Sequence, residues 1–336
     1  MPLDTSPDTS SPAASSSTDR KLLAWLRLPR PGAYAAIVVL ALLGAFGYKL
    51  RFDGIFACPA GGYAGNSYLA DCAAGGYGDY DHGALWFGLE PEALRAAAEA
   101  DVLFVGSSRL QLALSNGTTS RWFAEPATRY FLFGLSHSEN TVFVQPLLER
   151  LRPRAKAYVI NVDRFFDDRV SPPMEHIQRD GDALSRYKEK RFWQGLHGPL
   201  CSALPALCGQ RFAVYRSRTD GAWRTAGGTP ADGKAVTDGP AADAERWPHY
   251  VKLAEVFLAK LPVDRKCVVL TIVPSVDTRR AEAEAIARAL GLELIAPHLD
   301  GLTTFDGSHL DAASAARWSA AFFEAAGSRL RACLAA

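Results

Sequence analysis

Two short runs in this chain carry residue types that do chemistry. Gly106-Ser107-Ser108-Arg109 sets two hydroxyls and a guanidinium behind a glycine, and Asp306-Gly307-Ser308-His309-Leu310 sets a carboxylate three residues before an imidazole. A serine hydroxyl is a poor nucleophile until a base takes its proton. An imidazole becomes that base when a carboxylate holds one ring nitrogen and leaves the other facing the hydroxyl. Each run supplies what the other lacks, so Ser108, His309 and Asp306 form a candidate nucleophile, base and orienter. Each run also has an ordinary alternative. Gly-Ser-Ser is common turn chemistry, and Asp306 or Ser308 would serve as the cap of the helix that follows.

The elements that must position these residues follow from hydropathy. Asp101–Arg109 reads as a short apolar run broken by Gly-Ser-Ser, the pattern of a buried parallel strand. Similar runs recur at residues 127–138, 156–166, 266–275 and 292–297. Between them lie helical stretches at 91–100, 139–153, 244–261 and 279–291, with a closing helix at 311–334. Strands alternating with helices predict an α/β fold whose mostly parallel sheet is covered on both faces. In such sheets active groups gather at the carboxyl ends of the strands. Residues 167–243 break the rhythm with Pro172, Pro173, a basic-aromatic run at Arg186–Trp193 and a Gly/Pro/Asp-rich arm, and read as an insertion beside the sheet. That basic-aromatic run is either a contact for a sugar or anionic polymer, or a solvated helix face. Residues 51–90, rich in Gly, Tyr and Asp, read as a loop-dominated linker, and 91–336 as the α/β domain.

Composition narrows the setting. The 336 residues are 48% apolar and 22% charged, enough for a sizeable core. A net charge of +1 with no Lys/Arg run gives no pull toward nucleic acid. Residues 1–19 are Ser, Thr, Pro, Ala and Asp with few large apolar side chains, and read as a disordered cytoplasmic tail. Residues 20–50 hold a basic flank (Arg20, Lys21, Arg27, Arg30) and then a charge-free run from 32 to 48, about 17 residues at ~1.5 Å each, short but long enough for a membrane anchor. The flank predicts an N-terminus inside and residues beyond 50 outside, in the periplasm or its equivalent. All six cysteines lie beyond the span, as expected for disulfides in an exported domain. Pairs 58–72, 201–208 and 267–333 are the simplest of the possible connectivities. No C-x-x-C spacing suggests zinc, and His298 with Asp300 reads as loop polarity rather than a metal site.

The order of the two chemical runs, a serine after the first strand and Asp-x-x-His before the last helix, resembles that of SGNH/GDSL hydrolases. The first run is similar to their Gly-Asp-Ser block with Ser107 in the aspartate place, as in envelope acyl-transfer proteins of the DltD and alginate-acetylation type. Asp306-x-x-His309-Leu310 is similar to their last block. The resemblance covers roughly residues 100–330 and implies a three-layer α/β sandwich of flavodoxin-like build. It implies Ser108 as nucleophile, His309 as base, Asp306 as orienter, and an acyl-enzyme formed without a cofactor. The middle blocks depart from the pattern. Phe133-Gly134-Leu135-Ser136-His137 puts His137 where the family has an oxyanion-hole glycine, with Gly134 three residues earlier. Asn161-Val162-Asp163-Arg164 replaces the family's Gly-x-Asn-Asp, leaving Asn161 as the candidate donor. A missing donor costs roughly 3 kcal/mol of transition-state stabilisation. Arg109 is a candidate contact for an acidic substrate or a partner of Asp163. The implied function is a serine-dependent esterase or O-acetyltransferase acting on a cell-envelope polysaccharide or other acylated glycan, with a membrane acyl-donor as possible partner. The alternative is a non-catalytic envelope protein that keeps the fold as a glycan-binding or assembly module.

Overall fold

The computed structural model describes residues 31–72, 77–114, 116–125, 127–228, 233–239, 243 and 245–335. The tail at 1–19 and the basic residues up to 30 lie outside the described residues. The chain divides into two compact units, 1–49 and 50–336. Helix α1 (Pro31–Phe52) contains a 21-residue stretch, Gly32–Phe52, of mean hydropathy 1.8, none of it buried. At ~1.5 Å per residue it covers about 30 Å, the thickness of a bilayer's hydrocarbon core. Its length and composition suit a membrane span or an export signal.

In the second unit, β1 (Ser67–Cys72), β2 (Gly78–Asp79), α2 (Asp81–Trp86) and α3 (Pro91–Glu99) precede β3 (Val102–Ser107). Then come α4 (Ser108–Ala113), α5 (Asn116–Ala124), β4 (Tyr130–Leu135), α6 (Thr141–Leu151) and β5 (Ala157–Asn161). The expected insertion holds α7 (Pro172–Arg179), α8 (Ala183–Ala203), β6 (Ala213–Ser217), β7 (Trp223–Ala226) and β8 (Lys234–Ala235). After it follow α9 (Trp247–Leu258), β9 (Val268–Thr271), α10 (Arg280–Leu290), β10 (Thr303–Thr304) and α11 (Ala312–Ala335).

The functional frame is a four-stranded parallel sheet of order β4-β3-β5-β9. Its strands are apolar on both faces because both are covered. Leu103, Val105, Phe131, Phe133, Tyr158 and Ile160 enter one core with α3, α6, α9 and α10, while Val102, Phe104, Leu132 and Val159 enter another with α5 and α11. The chain leaves β3 toward β4 on one side and returns to β5 on the other. The mouth between β3 and β5 is therefore a topological switch point, where such sheets bind ligands. The fifth strand expected at 292–297 is reduced to one parallel bridge, Leu270 to Leu294. Leu270 N donates to Glu293 O and Ile295 N to Leu270 O, but the Ile295 carbonyl is taken by the Thr271 hydroxyl at 2.7 Å. Pro297 has no N–H with which to continue the ladder.

The region 51–90 is not a linker. Its β1 pairs antiparallel with β6 from the insertion, giving a second sheet of order β2-β1-β6-β7. Cys58, Tyr68, Leu69 and Tyr80 are fully buried in the same core as the parallel sheet. Close packing accounts for one glycine of this region: a Cβ on Gly62 would stand 2.0 Å from the Tyr215 ring. Cys58–Cys72, Cys201–Cys208 and Cys267–Cys333 are disulfide-bonded, the simplest of the pairings open in the sequence.

Arg216 on β6 joins the two sheets. Its side chain is fully buried and ion-paired to Asp81 on α2, with Nη2 at 2.7 Å and Nε at 3.0 Å. The remaining N–H groups reach carbonyls: Nη1 donates to Leu132 O at 2.7 Å and Gly221 O at 3.0 Å, and Nη2 to Gly134 O. Those of Leu132 and Gly134 lie on the edge strand β4, where no further strand pairs, and Gln111 Nε2 donates to the same two oxygens. Burial opposes the Arg216 charge, but Asp81 outweighs it and moves the guanidinium pKa up. Removing one partner of a buried pair leaves an uncompensated charge. Asp81→Asn is accordingly expected to cost about 3–5 kcal/mol of stability, read as a lowered denaturant midpoint in detergent. A loss below about 1 kcal/mol, the level of an exposed pair, would show that the contact is not structural.

Candidate active site

Ser108 is the first residue of α4, immediately after β3, where the turn leaves first-turn N–H groups without intrahelical partners. Gly106 is required two residues earlier, because a Cβ there would stand 2.8 Å from Asn161 Cβ. The second run forms a closed turn. Thr304 bridges Leu310, and Phe305 N donates to His309 O at 3.0 Å. Gly307 supplies a left-handed φ of 86° inside it. The cap of α11 is Asp311, whose carboxylate accepts Ser314 N at 2.8 Å, so Asp306 and Ser308 are not spent as caps.

The turn brings the three residues into one row. His309 Nε2 lies 2.8 Å from Ser108 Oγ, and His309 Nδ1 lies 2.7 Å from Asp306 Oδ2. The other carboxylate oxygen, Oδ1, accepts the backbone N–H groups of Ser308 and His309, each at 2.8 Å. Partial burial opposes the Asp306 charge, but the His309 ring and these backbone donors outweigh it and hold the carboxyl at about 2. Phe305 stacks on the His309 ring with centroids 5.6 Å apart and planes at 18°. It also lines a cleft of about 570 Å³ with Gln111, Asn116, Trp223, Thr304 and Leu310.

Arg109, beside Ser108, braces the row. Its Nε donates to Ser308 Oγ at 3.0 Å, its Nη1 to Asp163 at 2.8 Å and its Nη2 to Asp277 at 3.1 Å. One guanidinium thus ties the nucleophile's neighbour to the base's neighbour and to the ends of β5 and β9. Burial opposes the Asp277 charge, but hydrogen bonds from Ser275 and the Arg109 charge lower its pKa. Of the two readings of Arg109, the ion pair with Asp163 is the one formed. Ser308 reads in the sequence only as a helix cap and Asp277 carries no motif, although Ser275-Val276-Asp277 follows a recognisable strand and is a polar pair in a place where active groups collect.

The other candidates divide. Gly134 is a residue of β4, paired with Gly106, and a Cβ there would stand 2.7 Å from Ser107 O. It serves close packing of the strand and lies within β4 rather than in the loop that follows. Asn161 is wholly buried, its Oδ1 accepting Val273 N at 3.2 Å and its Nδ2 without a hydrogen-bond partner. His137 is exposed on the loop after β4 and has φ 58°, the left-handed backbone for which glycine is the unstrained residue. Because Ser107 pairs with Leu135, Ser108 and Ser136 leave the sheet side by side, and His137 comes next.

Beneath His137 lies a buried group that sequence reading missed. His82 is wholly enclosed, with Nδ1 2.8 Å from Asp79 and Nε2 3.0 Å from Glu139, the latter contact Coulombic rather than an aligned hydrogen bond. Burial opposes its charge, yet Asp79 and then Glu139 outweigh it and push His82 up to about 10. The His82 and His137 rings are 6.0 Å apart. Burial first, and the His82 charge second, lower the His137 pKa. The run Asp79-Tyr80-Asp81-His82 was the available signal, masked by its glycine-rich setting. His298 and Asp300 stand 4.0 Å apart and exposed. His197, Cys201 and Cys208 cluster within metal-binding distance, but the two sulfurs are bonded to each other. Both His197 nitrogens have partners, the Tyr63 hydroxyl and the Cys58 carbonyl.

Protein-family models, curated proteins and solved structures give no match to this chain.

Two outcomes follow from the geometry. Arg109→Ala is expected to slow reaction of Ser108 with a fluorophosphonate by roughly 10²-fold through misplacement of the row, and Arg109→Lys should recover only part, lacking the planar fork. Labelling at an unchanged rate would mean the brace is dispensable. The second outcome concerns pH. The His82 pKa is raised on folding, so its stabilisation is complete below its ordinary value of 6.5 and is lost as pH rises through about 10. The urea midpoint should fall across that window, and His82→Gln should flatten the slope.

Proposed function

We propose that this chain is a membrane-tethered serine esterase or O-acyltransferase of SGNH type, its second unit a three-layer sandwich facing an oxidising compartment. The observation that carries the reading is the row Ser108–His309–Asp306, in which a hydroxyl, an imidazole and a carboxylate hold the order and contact distances of a nucleophile, base and orienter. The helix at 31–52 and the three disulfides support the location, with the N-terminus inside and residues 50–336 outside.

In the mechanism, Ser108 Oγ attacks the carbonyl carbon of an acyl ester as His309 Nε2 takes its proton. The carbonyl electrons move onto oxygen, where the first N–H groups of α4 and the backbone after β4, near His137, supply hydrogen-bond donors. Asp306 stabilises the imidazolium. When the tetrahedral adduct collapses, the carbon–alkoxide bond breaks and His309 returns the proton to the departing oxygen. Water or a sugar hydroxyl then repeats the sequence on the acyl-enzyme, giving hydrolysis or transfer. The cleft beside Phe305, with Trp223, Asn116 and Thr304 in its walls, combines aromatic surface with hydroxyl and amide groups, a lining suited to a sugar ring of an envelope glycan.

A second reading, a glycan-binding or assembly module that has kept the fold, draws on His137 standing where the resemblance implies an oxyanion-hole glycine and on Gly134 lying within β4. Treatment of the detergent-solubilised chain with a fluorophosphonate, followed by peptide mass analysis, separates the two. The enzyme reading expects an adduct on Ser108 that disappears in His309→Ala, and a loss of ester turnover of roughly 10³-fold or more in Ser108→Ala. An intact Ser108 after prolonged treatment would leave the binding module standing.

A further inference from the structure

Helix α8 has an outer face that nothing covers among the described residues of the second unit. Its inner face is regular: Tyr187, Gln194, His197 and Cys201 are buried at helical spacing. Outside α1, the exposed large apolar side chains among the described residues are Val170, Val256 and six on α8 and its C-cap. Four of those six, Trp193 (41% exposed), Leu196, Leu200 and Leu204 (55%), recur every three or four residues along one side of the helix, with Phe192 (62%) beside the first. The N-terminal half of the same helix carries exposed Arg186, Lys188 and Arg191. An apolar stripe beside cations on one helix is the pattern of a helix lying in a membrane interface.

The position of this helix in the chain names the surface it meets. Arg51, at the end of the apolar helix, donates through Nη1 to Ala206 O at 2.9 Å, two residues beyond Leu204. The turn that follows, Gly54–Ala57, packs on α8, with the Phe56 ring 6.4 Å from Trp193 and 5.6 Å from His197. A cation that closes a bilayer span sits at the headgroup level. The Ala206 carbonyl that accepts from its guanidinium sits there too. The contiguous chain can climb at most ~3.5 Å per residue from that boundary, so Phe56 and the stripe beside it stay close to the lipid.

We propose that α8 lies in the headgroup layer of the bilayer spanned by its own chain, with Trp193, Leu196, Leu200 and Leu204 at the acyl boundary and the basic half facing anionic headgroups. The second unit then meets the lipid through a surface helix as well as through the chain that enters the bilayer. This inference rests on α1 being a span, and is independent of the chemistry at Ser108.

The test uses the full chain in vesicles of phosphatidylethanolamine and phosphatidylglycerol, with photoleucine in place of Leu196 or, as a control for the span, Leu42. Irradiation and mass analysis are expected to find lipid adducts at both positions. Leu200→Glu with Leu204→Glu should abolish the adduct at 196 and leave that at 42. Lipid at 42 with only a water adduct at 196 overturns the inference and spares the span. A protein adduct at 196, from a second copy or another chain, overturns it in favour of a protein interface. The absence of lipid at both positions removes the span and the inference with it.

Discussion

The arrangement depends on a guanidinium that has no route to water. Arg216 is taken out of solvent on a strand of the insertion, and the low dielectric there makes an unpaired charge prohibitive. Its requirements dictate what surrounds it. Asp81 must start α2 within reach, which draws the Gly/Tyr-rich region into the domain. The carbonyls of Leu132 and Gly134 must face it, which seals the exposed edge of β4 with side chains where another strand would otherwise pair. The loop carrying His137 leaves from that edge two residues later. The insertion therefore supports the sheet and the site from the side.

This explains which parts of the fold are legible in the sequence. The strands of the parallel sheet are continuous apolar runs because both faces are covered, and such runs stand out without knowledge of their partners. The antiparallel sheet leaves no such trace. β1 reads Ser-Tyr-Leu-Ala-Asp-Cys and β6 Ala-Val-Tyr-Arg-Ser; the Arg216 of β6 makes sense only once it meets Asp81, to which the Tyr68 hydroxyl of β1 also donates. Residues 292–297 show the converse error. Their apolar content is that of a strand, but the Thr271 hydroxyl and Pro297 stop the ladder after one bridge, and neither effect shows in local hydropathy.

The site divides along the same line. Gly106-Ser107-Ser108 and Asp306-x-x-His309 are contiguous, so residue type and spacing expose them. The brace is not contiguous. Arg109 draws on Asp163, Asp277 and Ser308, one from each of three segments, and no spacing rule links them. The same holds for His82, whose two carboxylates flank it in sequence at very different distances. Gly134 misled for a related reason: a glycine near an expected motif invites a functional role, whereas the crowding of Ser107 O and Gln111 against it is a sufficient cause.

The charges around the row have a chemical consequence on the acyl-transfer reading. Asp306 sets its carboxylate charge directly against the His309 ring, while Arg109 answers Asp163 and Asp277 beside the row. Protonation of His309 during attack sets a cation against that carboxylate, which favours the transition state over the resting state. The brace keeps Arg109 on Asp163, Asp277 and Ser308, so the cation that forms against Asp306 on this reading is the imidazolium itself.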